Sequence, residues 1–306
     1  MLDFNSTYDL LSQLPTEQDC INYLVNMRWK NGEYCPYCQH EHIYHFADNK
    51  TYKCQLCKQK FSIKVGTIFE NTKVPLRKWF LAIFIMTTHK KGASSLQLAR
   101  DIKVTQKTAW FMLHRIRKAT QLGDFNDKLD GTVEMDETYI GGLEKNKHFC
   151  KKTKGTQGRS HKKKSIVLGM LQRDGDLKAT VVDNVTAKTI ENEANKNIVL
   201  GSVIMSDEWK SYRILRKSYQ HKNVNHSRHK YVIDDISTNS IESFWATFKR
   251  GLKGVYHIMS KKHLHRYVNE FVFRYNLRKE SRSILFHDIL SNVDGRLTYK
   301  RLVGAY

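Results

Sequence analysis

Four cysteines constrain this chain more tightly than any other feature. Cys35-Pro36-Tyr37-Cys38 and Cys54-Gln55-Leu56-Cys57 are two C-x2-C pairs separated by 15 residues. Zinc takes four soft ligands in a tetrahedron, and one tight C-x2-C turn delivers two thiolates to a single ion. Residues 42–53 read as a short hairpin, with Ile43-Tyr44 and Thr51-Tyr52 flanking Asp48-Asn49. The expected unit is a zinc ribbon holding one structural Zn²⁺ through Cys35, Cys38, Cys54 and Cys57, because four thiolates leave no open position. Two disulfides are the alternative. The opening MLDFNSTYDL lacks the basic and apolar regions of a secretory signal, which argues against an oxidising compartment. Redox chemistry would need a βαβ context that is missing here. Cys20 and Cys150 have no partner spacing and read as ordinary thiols.

Charge is the second constraint. The chain has 306 residues, with 52 Lys+Arg against 30 Asp+Glu, for a net charge of +22. A chain this basic usually meets a polyanion, most often nucleic acid, although a merely solubilising surface is the simpler reading. No run of about 18 apolar residues occurs, so no membrane span is expected. At 40% hydrophobic and 27% charged, the usage is that of folded domains. The length suits two or three of them. The expected location is cytoplasmic, associated with the nucleoid.

Residues 76–120 have helical character. A dense apolar run, 76–89, is followed by Ser94-Ser95, which can cap a second helix. After a break at Lys103-Val104, Thr105 can cap a third over 106–119. Two short helices in this arrangement suit a helix-turn-helix, with Gln106, Lys107, His114, Arg117 and Lys118 available to DNA and Trp110 and Leu113 packed inward. A plain three-helix bundle is the alternative.

From residue 131 the pattern turns mixed α/β. Strands are expected at 132–140, 165–171 and 177–184, a polar helix at 187–197 and a fourth strand at 203–206. Three strands, a helix and another strand is the order of an RNase H-like fold, which places carboxylates at strand ends. Asp136 lies on the first strand between apolar neighbours, where an acid costs energy unless something binds it. Asp207 closes the fourth strand. In the next segment Ile241, Phe244, Trp245, Phe248 and Leu252 form an apolar helical stripe. Glu242 and Lys249 sit two turns apart on its flank, with Asn239 near the same face. Each acid also has a plainer reading. Glu242 could complete a capping box begun at Asn239, and Asp207 could be a helix cap. Glu134, on the same strand face as Asp136, and Glu137, facing away, are rivals for its role.

Taken in order, the strings YCPYC, YKCQLCKQKFS, EMDETYIGG, MSDEW, TNSIESFW, FKRGLKGVYH and HLHRYVNEFVFRYN resemble the DDE transposases of bacterial insertion sequences, in the subgroup with an N-terminal zinc ribbon and a helix-turn-helix. The resemblance implies a multidomain α+β chain: an N-terminal helical segment at 1–30, a zinc ribbon at 31–70, a helix-turn-helix region at 71–125, and an RNase H-like, retroviral-integrase-type catalytic domain at 126–306. It implies Asp136, Asp207 and Glu242 as the three acids, Lys249 as the basic residue two turns on, and Asn239 as a possible contributor. Ser237 stands where relatives are expected to carry histidine.

Phosphodiester transfer explains why acids are needed. An attacking and a leaving oxygen lie in line, and two Mg²⁺ (or Mn²⁺) ions held by carboxylates can serve both. The implied function is binding of insertion-sequence ends, cleavage of the phosphodiester, and joining of the 3′-OH to target DNA. The partners are double-stranded DNA and other copies of the chain on that DNA. The basic loop 148–164, with Arg159, Lys162 and Lys163, and the pair Lys249-Arg250 are further expected DNA contacts. Arg266 and Arg274 on a core-facing helix at 263–276 could also touch DNA. Residues 1–125 are expected to fold and recognise ends alone. The rivals are a zinc-containing helix-turn-helix regulator with an inactive RNase H-like domain, and a nuclease that cleaves without joining.

Overall fold

The computed structural model describes residues 2–121, 127–142, 148–151, 164–223 and 237–304. It divides into two compact units: Met1–Gly123 with Lys279–Tyr306, and Asp124–Arg278.

The first unit opens with α1 (Thr7–Gln13) and α2 (Glu17–Arg28). Each starts in a capping box, Ser6 with Asp9 and Thr16 with Asp19, so the first-turn amides are satisfied locally. The ribbon follows as β1 (Ile43–His45), β2 (Thr51–Cys54) and β3 (Lys60–Ser62), an antiparallel sheet in the order β1-β2-β3. Its apolar content is one aromatic row, with Tyr52 stacked on Phe61 at 5.7 Å and edge-on to Trp29 at 4.9 Å. So small a core needs a further tie.

Next come α3 (Leu76–Thr88), α4 (Ser95–Asp101) and α5 (Gln106–Ala119). Ser94 and Thr105 cap α4 and α5 as expected, accepting from the amides of Gln97 and Thr108. α3 is buried on almost every side, through Trp79, Phe80, Ile83, Phe84 and Met86.

The second unit is a five-stranded sheet. Its strands are β4 (Thr132–Ile140), β5 (Ser165–Gln172), β6 (Leu177–Val182), β7 (Val203–Ser206) and β8 (Gln220–Asn223), with α6 (Ala187–Asn197) between β6 and β7. The order is β6-β5-β4-β7-β8. The first three strands run antiparallel, and β7 lies parallel to β4 and β8. α6 supplies the crossover that a parallel pair requires. This is the RNase H-like sheet expected from the sequence, with β4 at its centre. Alternation along β4 sends Val133 and Met135 to a core shared with Ile190, Ala194 and Tyr212. Residues of the opposite parity, with Ile140, Val167 and Leu171, meet α7 (Asn239–Gly251) and α8 (Leu264–Asn276) through Ile241, Trp245, Phe248 and Phe271.

The expected catalytic domain at 126–306 extends further than the sheet-bearing unit, because Lys279–Tyr306 belongs to the first unit. There α9 (Arg282–Ser291) and α10 (Tyr299–Val303) follow. Phe286 of α9 closes an aromatic cluster, 5.0 Å from Phe4 and 5.4 Å from Phe80. A fragment of residues 1–125 would expose that cluster, so the isolated front end loses part of its own core. Among the described residues no helix is long and apolar enough to cross a membrane.

His287 sits in the same cluster. Its Nε2 lies 2.8 Å from the Leu2 carbonyl and its Nδ1 lies 2.7 Å from the Tyr23 hydroxyl, the pattern of a neutral imidazole donating at one nitrogen and accepting at the other. Burial above all holds its pKa below the ordinary 6.5. The unfolded chain therefore takes up the proton more readily. The stability from His287 is complete above about pH 6.5 and is lost as pH falls through the lowered value. Thermal melts between pH 7.5 and 5 should show the His287→Gln variant losing part of the wild-type decline in that window.

Candidate active site

β4 carries Asp136 at the middle of the sheet, and parity puts it on the α7 face. Directly across on β5 its pair is Gly169. A Cβ at Gly169 would stand 2.6 Å from the Trp245 ring and 3.0 Å from Ile241 Cδ1. The missing side chain is what lets α7 lie down on the sheet beside Asp136. Glu242, between these two contacts on the helix, is thereby brought to the acid and remains exposed.

Asp207 arrives from the other side. Thr132, Val133 and Glu134 of β4 pair in parallel with Val203, Ile204 and Met205 of β7. Carried two residues further, that register sets Asp207 beside Asp136. One carboxylate oxygen of Asp207, Oδ1, accepts from the Trp209 amide at 3.0 Å, which holds the side chain in a tight local turn.

The electrostatics reflect this convergence. Burial, followed by the charges of Glu137, Asp207 and Glu242, pushes the Asp136 carboxyl up to about 7. An acid so destabilised as an anion suits a cation, since a divalent ion reverses the local potential. By donor chemistry and charge, the three carboxylates fit hard-cation binding.

The rival acids on β4 have other partners. Glu137 faces the opposite core, where the buried Tyr212 hydroxyl donates to its Oε2 at 2.7 Å. Glu134 is fully buried and accepts from the Ile241 amide at 3.0 Å. The plainer reading of Glu242 is also changed. Thr238, not Asn239, is the cap residue of α7, and its hydroxyl lies 3.3 Å from Glu242 Oε1. Asn239 is exposed at the first helical position, and Lys249 is exposed two turns beyond Glu242.

In the ribbon, the Sγ atoms of Cys35, Cys38, Cys54 and Cys57 all lie within 4.8 Å of one another. The closest pairs are Cys38–Cys54 at 3.5 Å and Cys35–Cys57 at 3.7 Å. Zn–S bonds of about 2.3 Å in a tetrahedron require S···S separations of about 3.8 Å. The four thiols are therefore the right chemistry at the right spacing for one zinc. All six cysteines are free.

Comparison with known proteins matches both parts of the chain to transposase domains. A family model of an ISXO2-like transposase domain matches residues 128–276, and one of a transposase zinc-ribbon domain matches residues 15–60. The chain carries an ISXO2-like transposase domain behind a transposase zinc ribbon. A protein of the transposable element ISH50 from Halobacterium salinarum, itself uncharacterized, is 28% identical over 278 residues, spanning 85% of this transposase and 90% of the relative. Among solved structures, the Mos1 transposase paired-end complex with left transposon end matches at 13% identity and a TM-score of 0.30, covering 67% of this chain and 75% of that one. The Mos1 Strand Transfer Complex matches at 13% and 0.30, covering 66% and 74%.

The transposase presents fewer of its expected DNA contacts than the sequence suggested. Gln106 and Lys107 are exposed at the start of α5, Gln106 bonded to Ser95 Oγ at 2.8 Å and Lys107 over the Tyr299 ring. Arg117 is only 1% exposed and His114 is fully buried, which corrects the surface role expected of both. The reason is packing: the second half of α5 is enclosed by α3, α4 and α9, so residues on every side of it are covered. Lys118 is half-buried, with Nζ 3.4 Å from the Arg296 carbonyl. Trp110, expected inside, is half-buried against the His114 ring. Arg274 is buried in an ion pair with Glu270 and is no surface contact.

Arg250 is exposed near the end of α7. Arg159, Lys162 and Lys163 lie outside the described residues. Lys253, Lys261 and Lys262 are also exposed, just beyond α7. Sequence reasoning missed Arg115, whose buried guanidinium donates to the carbonyls of Ile68, Glu70 and Leu297.

Two outcomes follow from this geometry. Metal analysis of the purified transposase should find one zinc per chain, and the Cys54→Ser variant should lose it. Gly169→Ala should force Trp245 and α7 off the sheet, at a cost of about 1–3 kcal/mol typical of overpacking, measured by chemical denaturation.

Proposed function

We propose that this chain binds the ends of its insertion sequence, cleaves the phosphodiester there and joins the freed 3′-OH to target DNA. The observation that carries the reading is that Asp136, on the central strand β4, feels the charges of both Asp207 from the end of β7 and Glu242 from α7. Asp136, Asp207 and Glu242 would hold two Mg²⁺ or Mn²⁺ ions. When bound, these would activate the attacking oxygen and stabilise the leaving one.

The chain's own groups supply the rest. Asp136 must be ionised to bind, and its acidic neighbours make it a carboxyl that yields its proton when a cation arrives. Water attacks the phosphorus at the element end, and the P–O bond to the 3′ oxygen breaks. That oxygen then attacks a target phosphorus and displaces a target 3′ oxygen. One P–O bond forms for each that breaks, so no external energy source is required. Lys249, exposed on the Glu242 helix, contacts a phosphate beside the reacting one, with Arg250 further along. Asn239, at the start of the same helix, is an additional polar contact to the site.

α4 and α5, joined by a four-residue turn, act as a helix-turn-helix with the start of α5 toward the major groove. Gln106 and Lys107 are the residues placed to reach DNA, with α5 anchored by its buried second half. Arg159, Lys162 and Lys163 add charge for a grip on the backbone. Other copies of the chain join on the DNA, and the work is done at the nucleoid.

Asp136→Asn, Asp207→Asn and Glu242→Gln keep shape and remove a carboxylate. Each should reduce cleavage and strand transfer of end-containing DNA by several orders of magnitude while end binding persists. Joining at wild-type level by all three variants would overturn the assignment of the acids, end binding by a wild type that neither cleaves nor joins would leave a regulator, and cleavage by the wild type with no joined product would leave a nuclease. Lys107→Ala should weaken end binding, read by titration at fixed salt, and lower the salt dependence by about 0.9 log units per log unit for one lost phosphate contact.

A further inference from the structure

We propose that Glu134 is the positioning residue for the third acid, tying the first turn of α7 to β4 so that Glu242 is held in register with Asp136. This rests on the reading of Asp136 and Glu242 as metal-holding acids.

The tie is a short chain of bonds. Glu134 Oε2 accepts from the Ile241 amide at 3.0 Å, and Ile241 immediately precedes Glu242. Oε1 of the same carboxylate faces Arg173 Nε at 3.4 Å. Arg173 Nη2 then donates to Ser237 Oγ at 3.0 Å and lies 3.3 Å from the Ser237 carbonyl, just ahead of the helix. The Arg173 backbone is fixed in turn, its amide donating to the Thr132 carbonyl at 2.9 Å. α7 makes no side-chain cap of its own: Thr238 gives no bond to a first-turn amide. The carboxylate that satisfies the helix start therefore comes from the sheet. Helix N-termini favour an anion, and a charge-assisted bond is directional.

Direction is what the rest of the α7 contact lacks. Ile241, Phe244, Trp245 and Phe248 press the helix onto the sheet. Apolar contact is non-directional and tolerates sliding along the axis. A slip of one residue moves a side chain about 1.5 Å along the axis and rotates it about 100° around it, more than the roughly 0.5 Å that a metal constellation allows. The bond at Ile241 removes that freedom. Glu134 and Asp136 are two residues apart on one face of one strand, so the same rigid element locates both the first acid and the helix bearing the third. With no exposed surface and both oxygens engaged, Glu134 is itself no metal ligand.

The test uses the full chain and three variants. Glu134→Ala removes the tie, and Glu134→Gln keeps an acceptor for Ile241 but loses the charge facing Arg173. Arg173→Gln acts from a side chain that is 28% exposed. Amide hydrogen exchange should quicken in the first turn of α7 in Glu134→Ala and Arg173→Gln, while β4 and β5 keep wild-type protection. Binding of Mn²⁺ alone, followed by electron paramagnetic resonance without DNA, should weaken at least about tenfold in Glu134→Ala, the usual scale for groups behind a metal ligand. Glu134→Gln should weaken it less, and excess Mn²⁺ should restore cleavage to Glu134→Ala but not to Asp136→Asn.

Wild-type exchange and wild-type Mn²⁺ binding in Glu134→Ala overturn the proposal. If that variant does not fold, the same pair of results in Arg173→Gln overturns it. Full Mn²⁺ binding and cleavage by Asp136→Asn would instead overturn the functional reading, and the exchange data would still judge the tie.

Discussion

One missing side chain governs the second unit. Gly169 sits opposite Asp136 on the neighbouring strand, and the Trp245 ring fills the space where its Cβ would be. α7 can therefore approach the sheet at the position where an acid needs company. Most of the helix surface that makes this contact is aromatic, which supplies area and fixes the face turned inward. A larger residue at 169 would leave the three acids on the same elements but spread apart.

The three acids on β4 show how one short stretch of sequence serves two faces. Glu134 and Asp136 point toward α7, and Glu137 points to the buried Tyr212 hydroxyl. Burial raises Asp136 to about 7, and the surrounding acids add to that effect. An isolated carboxyl in this place would be a stability cost with no return. The arrangement makes sense for a site that meets divalent cations.

The positive charge is divided between surface and interior. Arg115 and Arg117 on α5 are buried, and Arg115 binds three backbone carbonyls from two distant segments of the first unit, Ile68 and Glu70 in one and Leu297 in the other. It is therefore a structural cross-link, and part of the net +22 is not available to a polyanion. The same packing draws α9, from the far end of the chain, into the first unit through Phe286. The chain leaves that unit, builds the sheet, and returns to complete the first core.

The elements and the zinc set were legible in the sequence because they rest on local chemistry. β4, α5, α6 and β7 have the bounds that periodicity and caps imply, since Thr105 and Thr186 satisfy their own first-turn amides. The C-x2-C spacing alone brings each cysteine pair together. Asp136, Asp207 and Glu242 were legible as candidates through their places on strands and on an amphipathic flank. What local chemistry cannot state is which face of an element meets which neighbour. Arg117 looks solvent-exposed on a helical wheel, and only the packing of α3, α4 and α9 around α5 buries it. Glu134 looks like a rival of Asp136, and only the parallel pairing of β4 with β7 and the seat of α7 on Gly169 give the two acids different surroundings. Sequence determined the parts because helix, strand and turn preferences act over a few residues. Tertiary structure decided the roles because burial, register and close approach are set by residues far apart in the chain.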